Sequence, residues 1–309
     1  MRLLTDERQW GAAPTVVAFG TFDGVHLGHR QLMQEAVRLG RERGIASMVY
    51  TYSNHPMCAF SGMAEPPQLE TLSERIASIE ETGIDAAVVR PFTKAYAQQS
   101  PRAFLEGIVA AIHPRIVIIG YNYSFGDHGR GKAEDMIRFG QTLGFETIVV
   151  GEVRLKGETV SSTRIRQALF EGDVRLACAL LGHPYQVSGT ARPGRQIGSA
   201  IGYATANLDV PTEKLLPKDG VYLCEALLDG QRYPAITSLG QHPTVPGNPG
   251  LEAHLLGYTG TPLYQKQLRL AFYERLRSER QFDTMDALRA QIQRDECDAR
   301  AYFRLDGQA

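Results

Sequence analysis

The sequence predicts an α/β protein in two parts: an N-terminal doubly wound parallel sheet and a C-terminal small antiparallel β-barrel with a terminal helix. Three observations carry that reading. Short apolar runs alternate with amphipathic helical patterns up to about residue 180, the pattern of repeated strand–helix–strand units. Beyond Leu180-Leu181-Gly182-His183-Pro184 this alternation stops, and strand-like runs separated by Gly/Pro turns take over. At 309 residues the chain is too long for one small core and suits two domains of ordinary size. The boundary is expected at His183/Pro184, giving domains 1–183 and 184–309.

The first domain reads as follows. Thr15–Phe19 (TVVAF) is a buried strand, and a helical pattern runs from about His29 to Arg43. Ala46–Tyr52 is a second strand. Thr71-Leu72-Ser73-Glu74 is a capping box that opens a helix to about Thr82. Ala86–Arg90 is a short strand. Ser100 caps a helix with Pro101 at its first position, ending near Ala111. Arg115–Gly120 (RIVIIG) is a strongly apolar strand, Lys132–Leu143 a helix and Glu146–Val150 a strand. Such alternation implies a parallel sheet with helices on both faces, and ligands of such sheets sit at the carboxyl ends of the strands.

Composition narrows the class. Apolar content is 43% and charged content 22%, as in soluble globular proteins. A formal net charge of −1 gives no sign of a nucleic-acid partner. No apolar run approaches the ~20 residues that span a bilayer. The opening MRLLTDERQW has no apolar core of a secretory signal. Four cysteines, Cys58, Cys178, Cys224 and Cys297, show no paired spacing, as expected in a reducing compartment. A cytoplasmic protein without membrane partners is expected.

The chemistry concentrates in GTFDGVHLGHR, Gly20 to Arg30, which joins the first strand to the first helix. Unpaired N–H groups and the helix dipole make such a turn a phosphate site. Gly20, Gly24 and Gly28 allow φ > 0 or close approach to a ligand. His26 and His29 share one face of the first helical turn and can stabilise charge that develops on a polyphosphate. Two histidines at this spacing also suit zinc, but no cysteine pattern supplies the remaining ligands. Gly126 to Lys132 fits the first seven places of a P-loop, yet Ala133 stands where a magnesium-binding hydroxyl belongs. Val160-Ser161-Ser162-Thr163-Arg164-Ile165-Arg166 reads as a helix start bearing hydroxyls and arginines, a second anion site. Its helix ends near Glu171-Gly172.

His26-Leu27-Gly28-His29 resembles the HxGH signature of the nucleotidylyltransferase superfamily. The longer string resembles its version in the bacterial bifunctional riboflavin kinase/FAD synthetases. Ser161 to Arg166 matches that family's SSTxIR motif at every fixed place. Gly120-Tyr121-Asn122-Tyr123-Ser124-Phe125-Gly126 is similar to its G-x-(D/N)-(F/Y)-x-F-G segment. Thr51 to Pro56 resembles TF(D/E)PHP, with Ser53 for the acid and Asn54 for the proline. The resemblance implies that His26, His29 and Arg166 act on the triphosphate of ATP. It also implies that Gly20, Phe22, Asp23, Gly24, Asn54, His55, Asn122, Phe125, Ser162 and Thr163 line the nucleotide and flavin side.

In the second half, Tyr185–Ala191, Gly220–Leu228, Arg232–Thr237, Leu251–Tyr258 and Lys266–Arg275 read as strands. Asp283 is expected to cap a helix through about Phe303, with Met285, Leu288 and Ile292 on one face. A glycine loop with Gly189, Gly194, Gly198 and Gly202 runs into Ala204-Thr205-Ala206-Asn207. This resembles the riboflavin kinase module, whose glycine loop covers the nucleotide and leads into PTAN. There Thr205 and Asn207 would contact magnesium and ATP phosphate. Glu252-Ala253-His254 matches the module's ExH strand, which makes Glu252 the general base for the riboflavin 5′-hydroxyl. Ala204 for proline, Ser238 for asparagine and Gly257 for aspartate depart from the module.

The resemblance implies a bifunctional enzyme using ATP and magnesium. Riboflavin would be phosphorylated to FMN by the second domain, and FMN adenylylated to FAD, with release of pyrophosphate, by the first. The alternative keeps the adenylyltransferase and makes residues 185–309 a flavin-binding regulatory module. Expected partners are small molecules, ATP, riboflavin and FMN, with flavin-requiring apoproteins as recipients of product.

Overall fold

The structure, a computed structural model, describes residues 1–59, 66–192, 205–240, 250–260 and 262–304. Gly194, Gly198 and Ala204 lie outside the described residues. The chain divides into two compact units, Met1–Ser162 and Thr163–Ala309.

The first unit is built on a six-stranded parallel sheet in the order β1-β4-β3-β2-β5-β6. Its strands are β1 (Arg2–Leu4), β2 (Thr15–Phe19), β3 (Ala46–Tyr52), β4 (Ala86–Arg90), β5 (Pro114–Gly120) and β6 (Glu146–Val150). The order runs one way through β3 and β4 and the other way through β5 and β6. The strand at which it reverses is β2, the topological switch where open α/β sheets bind their ligands. Alternate residues of β2 explain the two covered faces. Val17 and Phe19 join one buried cluster, Val16 and Ala18 the other.

Helices cover both faces: α1 (Leu27–Arg43), α2 (Leu72–Glu80), α3 (Lys94–Ala97), α4 (Pro101–Ile112) and α5 (Ala133–Leu143). The local signals operate as expected. Thr71 and Glu74 form a reciprocal capping box on α2, and Ser100 accepts from the Ala103 amide ahead of Pro101. Three short elements carry too few residues for a periodic pattern. They are β1, α3 and the hairpin β7 (Arg154–Leu155) with β8 (Glu158–Thr159).

The second unit holds α6 from its second residue onward (Ser162–Glu171 in full), α7 (Val174–Leu181), a closed antiparallel barrel and a terminal helix. The barrel strands are β9 (Tyr185–Arg192), β10 (Thr205–Asp209), β11 (Gly220–Leu228), β12 (Gln231–Gly240), β13 (Gly250–Leu255) and β14 (Gln267–Arg277). They close in the order β10-β13-β12-β11-β14-β9. The division at Ser162/Thr163 falls after the first residue of α6, and α7 belongs with the barrel. Cys178 on α7 donates its thiol to the Phe272 carbonyl at 3.3 Å, and Arg175 pairs with Glu274 at 2.5 Å.

The terminal helix α8 (Met285–Phe303) corrects two expectations. Thr284, not Asp283, is the N-cap, accepting from the Ala287 amide at 3.2 Å. Met285 is 52% exposed, so its apolar character does not define the docked face. The buried positions are Asp295 and Ala299. Asp295 takes a bidentate ion pair from Arg277 of β14, with the shortest contact at 2.7 Å, and Gln291 donates to the same carboxylate. The helix is oriented by this pair and by the packing of Ala299 and Phe303 against Val221, Leu223 and Ile236.

Candidate active sites

In the first unit, β2 ends in a turn with three positive φ angles: Phe22 at 53°, Gly24 at 86° and Val25 at 28°. Only the glycine takes such a value without strain. Phe22 and Val25 are held there by complete burial of both side chains. A Cβ on Gly20 would meet the Phe22 ring at 2.8 Å, so the glycine is required by the ring folded back over it. Phe22 therefore serves the fold, its ring fully buried against Gly20.

The turn delivers His26 as the N-cap of α1, two residues earlier than the helical pattern indicated. Its Nδ1 accepts the His29 backbone N–H at 3.3 Å, so the neutral ring carries its proton on Nε2. The His26 and His29 rings stack with centroids 3.5 Å apart at 16°. Phe22 meets His29 edge-on at 5.2 Å. Burial pushes His26 down to about 4. His29 is held well below its ordinary value by burial, by His26 and by Arg75. His29 Nδ1 is buried without a hydrogen-bond partner among the described residues. The pair is thus two neutral imidazoles at a helix N-terminus, one with an unsatisfied nitrogen.

Asp23 is 4% exposed, and its carboxylate accepts the Leu69 and Glu70 amides at 3.0 and 3.2 Å. Its side chain braces the approach to α2. Its carbonyl accepts the Ser162 hydroxyl at 2.9 Å across a separation of 139 residues, which joins the serine-rich motif to the histidine turn. Thr163 and Arg166 follow on α6 in the second unit.

At the end of β3, both amide groups of Asn54 are used on Phe92: its Nδ2 donates to the carbonyl at 3.1 Å and its Oδ1 accepts the amide at 2.8 Å. Asn54 fastens two loops together. His55 is half-buried, and its Nδ1 accepts the Met57 amide. Asn122 is exposed. Phe125 is 5% exposed and packs on Phe104 at 5.9 Å, within the core rather than on its surface. Tyr123, stacked on Phe125, is the less buried of the two.

In the barrel, Thr205 and Asn207 are two apart on β10 and share its outer face, while Ala206 and Leu208 point inward. Register places Asn207 directly opposite Glu252 on β13, and Glu252 opposite Ser238 on β12. Thr205 lies opposite His254. The residues of two separate motifs therefore form one cross-strand patch of oxygen donors. Ser238 donates to Glu279 at 3.0 Å, so the departure from asparagine keeps a polar side chain beside Glu252. Gly257 has φ +75°, a conformation that glycine adopts freely and aspartate tolerates. Among the described residues no cluster of three or more His, Cys, Asp or Glu could hold a metal. Magnesium needs no such cage, since it binds through one or two protein oxygens plus substrate phosphates, and Thr205 with Asn207 fits that pattern.

A family model for FAD synthetase matches residues 9–164, and one for riboflavin kinase matches residues 181–303. The bifunctional riboflavin kinase/FMN adenylyltransferase of Listeria monocytogenes is 32% identical over 97% of this chain and 96% of its own length. The Escherichia coli K12 protein of the same description is 32% identical over 99% of each chain. This chain belongs to the bifunctional riboflavin kinase/FMN adenylyltransferase family. Within the family, both halves are present in the expected order. A crystal structure described as a macrolide-efflux protein from Streptococcus pneumoniae superposes with a TM-score of 0.88 at 28% identity, over 96% of this chain and 98% of that one. Among the described residues no helix is long and apolar enough to cross a membrane.

Sequence reasoning missed Arg75. It is 4% exposed and donates to the carbonyls of Thr21 at 2.9 Å and Tyr52 at 2.8 Å. One signal was available: Arg75 stands four residues before Ile79, on the apolar stripe of α2.

Proposed function

We infer that the protein phosphorylates riboflavin to FMN with ATP and then adenylylates FMN to FAD, releasing pyrophosphate. The observation that carries the adenylyl step is the 2.9 Å bond from Ser162 to the Asp23 carbonyl, which unites the two anion-binding motifs. In that step an FMN phosphate oxygen attacks the α-phosphorus of ATP, and the bond to the β-phosphate oxygen breaks. His26 and His29 supply N–H donors to the charge that moves onto the leaving pyrophosphate, and the N-terminus of α1 adds its dipole. Ser162, Thr163 and Arg166 hold the triphosphate, and the backbone of Gly20–Gly24 lines its path. Asn54 and His55 shape the flavin side by bracing its loops, Phe125 supports it from the core and exposed Asn122 offers its amide to the ligand.

In the kinase step Glu252 takes the proton of the riboflavin 5′-hydroxyl as that oxygen attacks the γ-phosphorus of ATP, and the bond from the γ-phosphorus to the β-phosphate oxygen breaks to release ADP. Thr205 and Asn207 hold the magnesium–phosphate group, where the metal would neutralise charge on the transferred phosphoryl. The register that sets Asn207 against Glu252 supports this reading, because base and phosphate ligands must converge on one substrate. No observation favours a purely regulatory second domain. The four cysteines are free, in keeping with work in a reducing cytoplasm and delivery of flavin to apoproteins there.

Incubation of the full chain with riboflavin, ATP and magnesium tests the reading. FMN is expected first and FAD after it, with one pyrophosphate per FAD. FAD made from supplied FMN but not from riboflavin would reject the kinase and return the barrel to a regulatory role.

A further inference from the structure

We propose that Arg75 is a positioning residue for adenylyl transfer: its guanidinium ties the start of the histidine turn, at Thr21, to the carbonyl end of β3, at Tyr52. The inference rests on assigning that step to His26 and His29.

A parallel sheet ends, on its carboxyl side, in backbone carbonyls with no further strand amides to take them. At the switch strand those oxygens lie where a polyanion is to bind, and an unsatisfied carbonyl there repels phosphate. The turn meets this with buried donors. The Thr21 carbonyl accepts from Arg75 Nη1 at 2.9 Å and from Thr51 Oγ1 at 3.0 Å. The Tyr52 carbonyl accepts from Arg75 Nη2 at 2.8 Å. One planar guanidinium therefore spans the turn that follows β2 and the last residue of the adjacent β3, a geometry that a single ammonium cannot reproduce.

The tie is reciprocal. Arg75 reaches from α2 to the turn, and Asp23 of the turn reaches back to the Leu69 and Glu70 amides, just ahead of α2. Between these two ties the chain passes through Phe22, whose ring meets His29 edge-on. Displacement of Thr21 moves Phe22 and, through it, His29. Since Phe22 and Val25 hold positive φ only by burial, the turn has little strength of its own to resist such a shift. Arg75 touches neither the reacting atoms nor, on this account, the substrates; it acts by holding the turn, and its charge also helps keep His29 neutral.

The test compares Arg75→Met and Arg75→Lys with the parent chain, at a temperature where circular dichroism shows each to be folded. A misplacement of about 1 Å costs on the order of 10²-fold in rate, so Arg75→Met is expected to lose that much kcat for FAD formation from FMN. The KM values for ATP and FMN should stay within about threefold, because ground-state contacts are untouched. Arg75→Lys keeps one of the two carbonyl bonds and should lose about tenfold. A role in stability alone would lower the melting temperature and leave kcat of the folded protein unchanged. A folded Arg75→Met variant with parental kcat overturns the proposal, as does a rise in both KM values at constant kcat. Should Arg75→Met not fold, Arg75→Lys decides alone: lower kcat at constant KM supports the proposal, and parental kcat overturns it. A parent chain that makes no FAD from FMN would instead refute the adenylyltransferase reading itself.

Discussion

At the scale of single residues, the stacked histidines make the first site sensitive to acid. His26 titrates near 4 in the folded chain, against about 6.5 when exposed, chiefly because burial disfavours its charged form. The unfolded chain therefore binds more protons below pH 6.5. Stability from the neutral pair is complete above that value and is lost as pH falls toward 4, by about 3 kcal/mol at most for His26. His29 adds to the loss in the same direction. The melting temperature of the first unit is expected to drop between about pH 7 and pH 5, and to drop less in His26→Asn. Equal drops in the two proteins would show that the pair does not carry this sensitivity. The same residues show what a sequence can and cannot disclose. The shared face of His26 and His29 was legible because helical spacing fixes it. The use of Asp23 and Asn54 as braces was not, because their partners, Leu69, Glu70 and Phe92, are distant in the chain. Arg75 was hidden for a related reason: its place on the stripe of Ile79 hinted at burial, but the carbonyls that hold it, of Thr21 and Tyr52, are distant in the chain.

At the scale of elements, long periodic segments were legible and their partners were not. The core strands β2, β3, β4 and β6 and the caps on α2 and α4 follow from local signals. β10 was read only as a Thr/Asn pair, since five residues after a glycine loop give no clear alternation. The anchor of α8 is a carboxylate, so the apolar pattern of its first turns misdirected the reading. α7 bears most directly on where the units part. Val174, Ala177, Leu180 and Leu181 are buried, and the helix is bonded to β14 through Cys178. A fragment beginning at Tyr185 loses these contacts, at roughly 1.5–3 kcal/mol for each buried Val or Leu. We expect residues 163–309 to fold and to melt well above residues 185–309. Equal melting temperatures would place the functional boundary at His183/Pro184, where the change in sequence pattern lies.

At the scale of the whole molecule, the FAD synthetase match (9–164) and the riboflavin kinase match (181–303) follow one another along one chain that divides into two compact units. Each proposed site draws on motifs far apart in sequence that the fold joins, Asp23 with Ser162 in one and Asn207 with Glu252 in the other. The proposed roles fall on different side chains, so the two steps should separate cleanly by substitution. The most direct measurement follows FMN and FAD together, starting from riboflavin, ATP and magnesium, with His29→Ala, Glu252→Gln and an equimolar mixture of the two. His29→Ala is expected to accumulate FMN, with FAD formation down on the order of 10²–10³-fold, the loss typical of a removed transition-state donor. Glu252→Gln should make FAD only when FMN is supplied, and the mixture should restore FAD formation from riboflavin. Loss of FMN as well as FAD in folded His29→Ala, loss of FAD formation from supplied FMN in folded Glu252→Gln, or a mixture that makes no FAD, would contradict the assignment of one step to each unit.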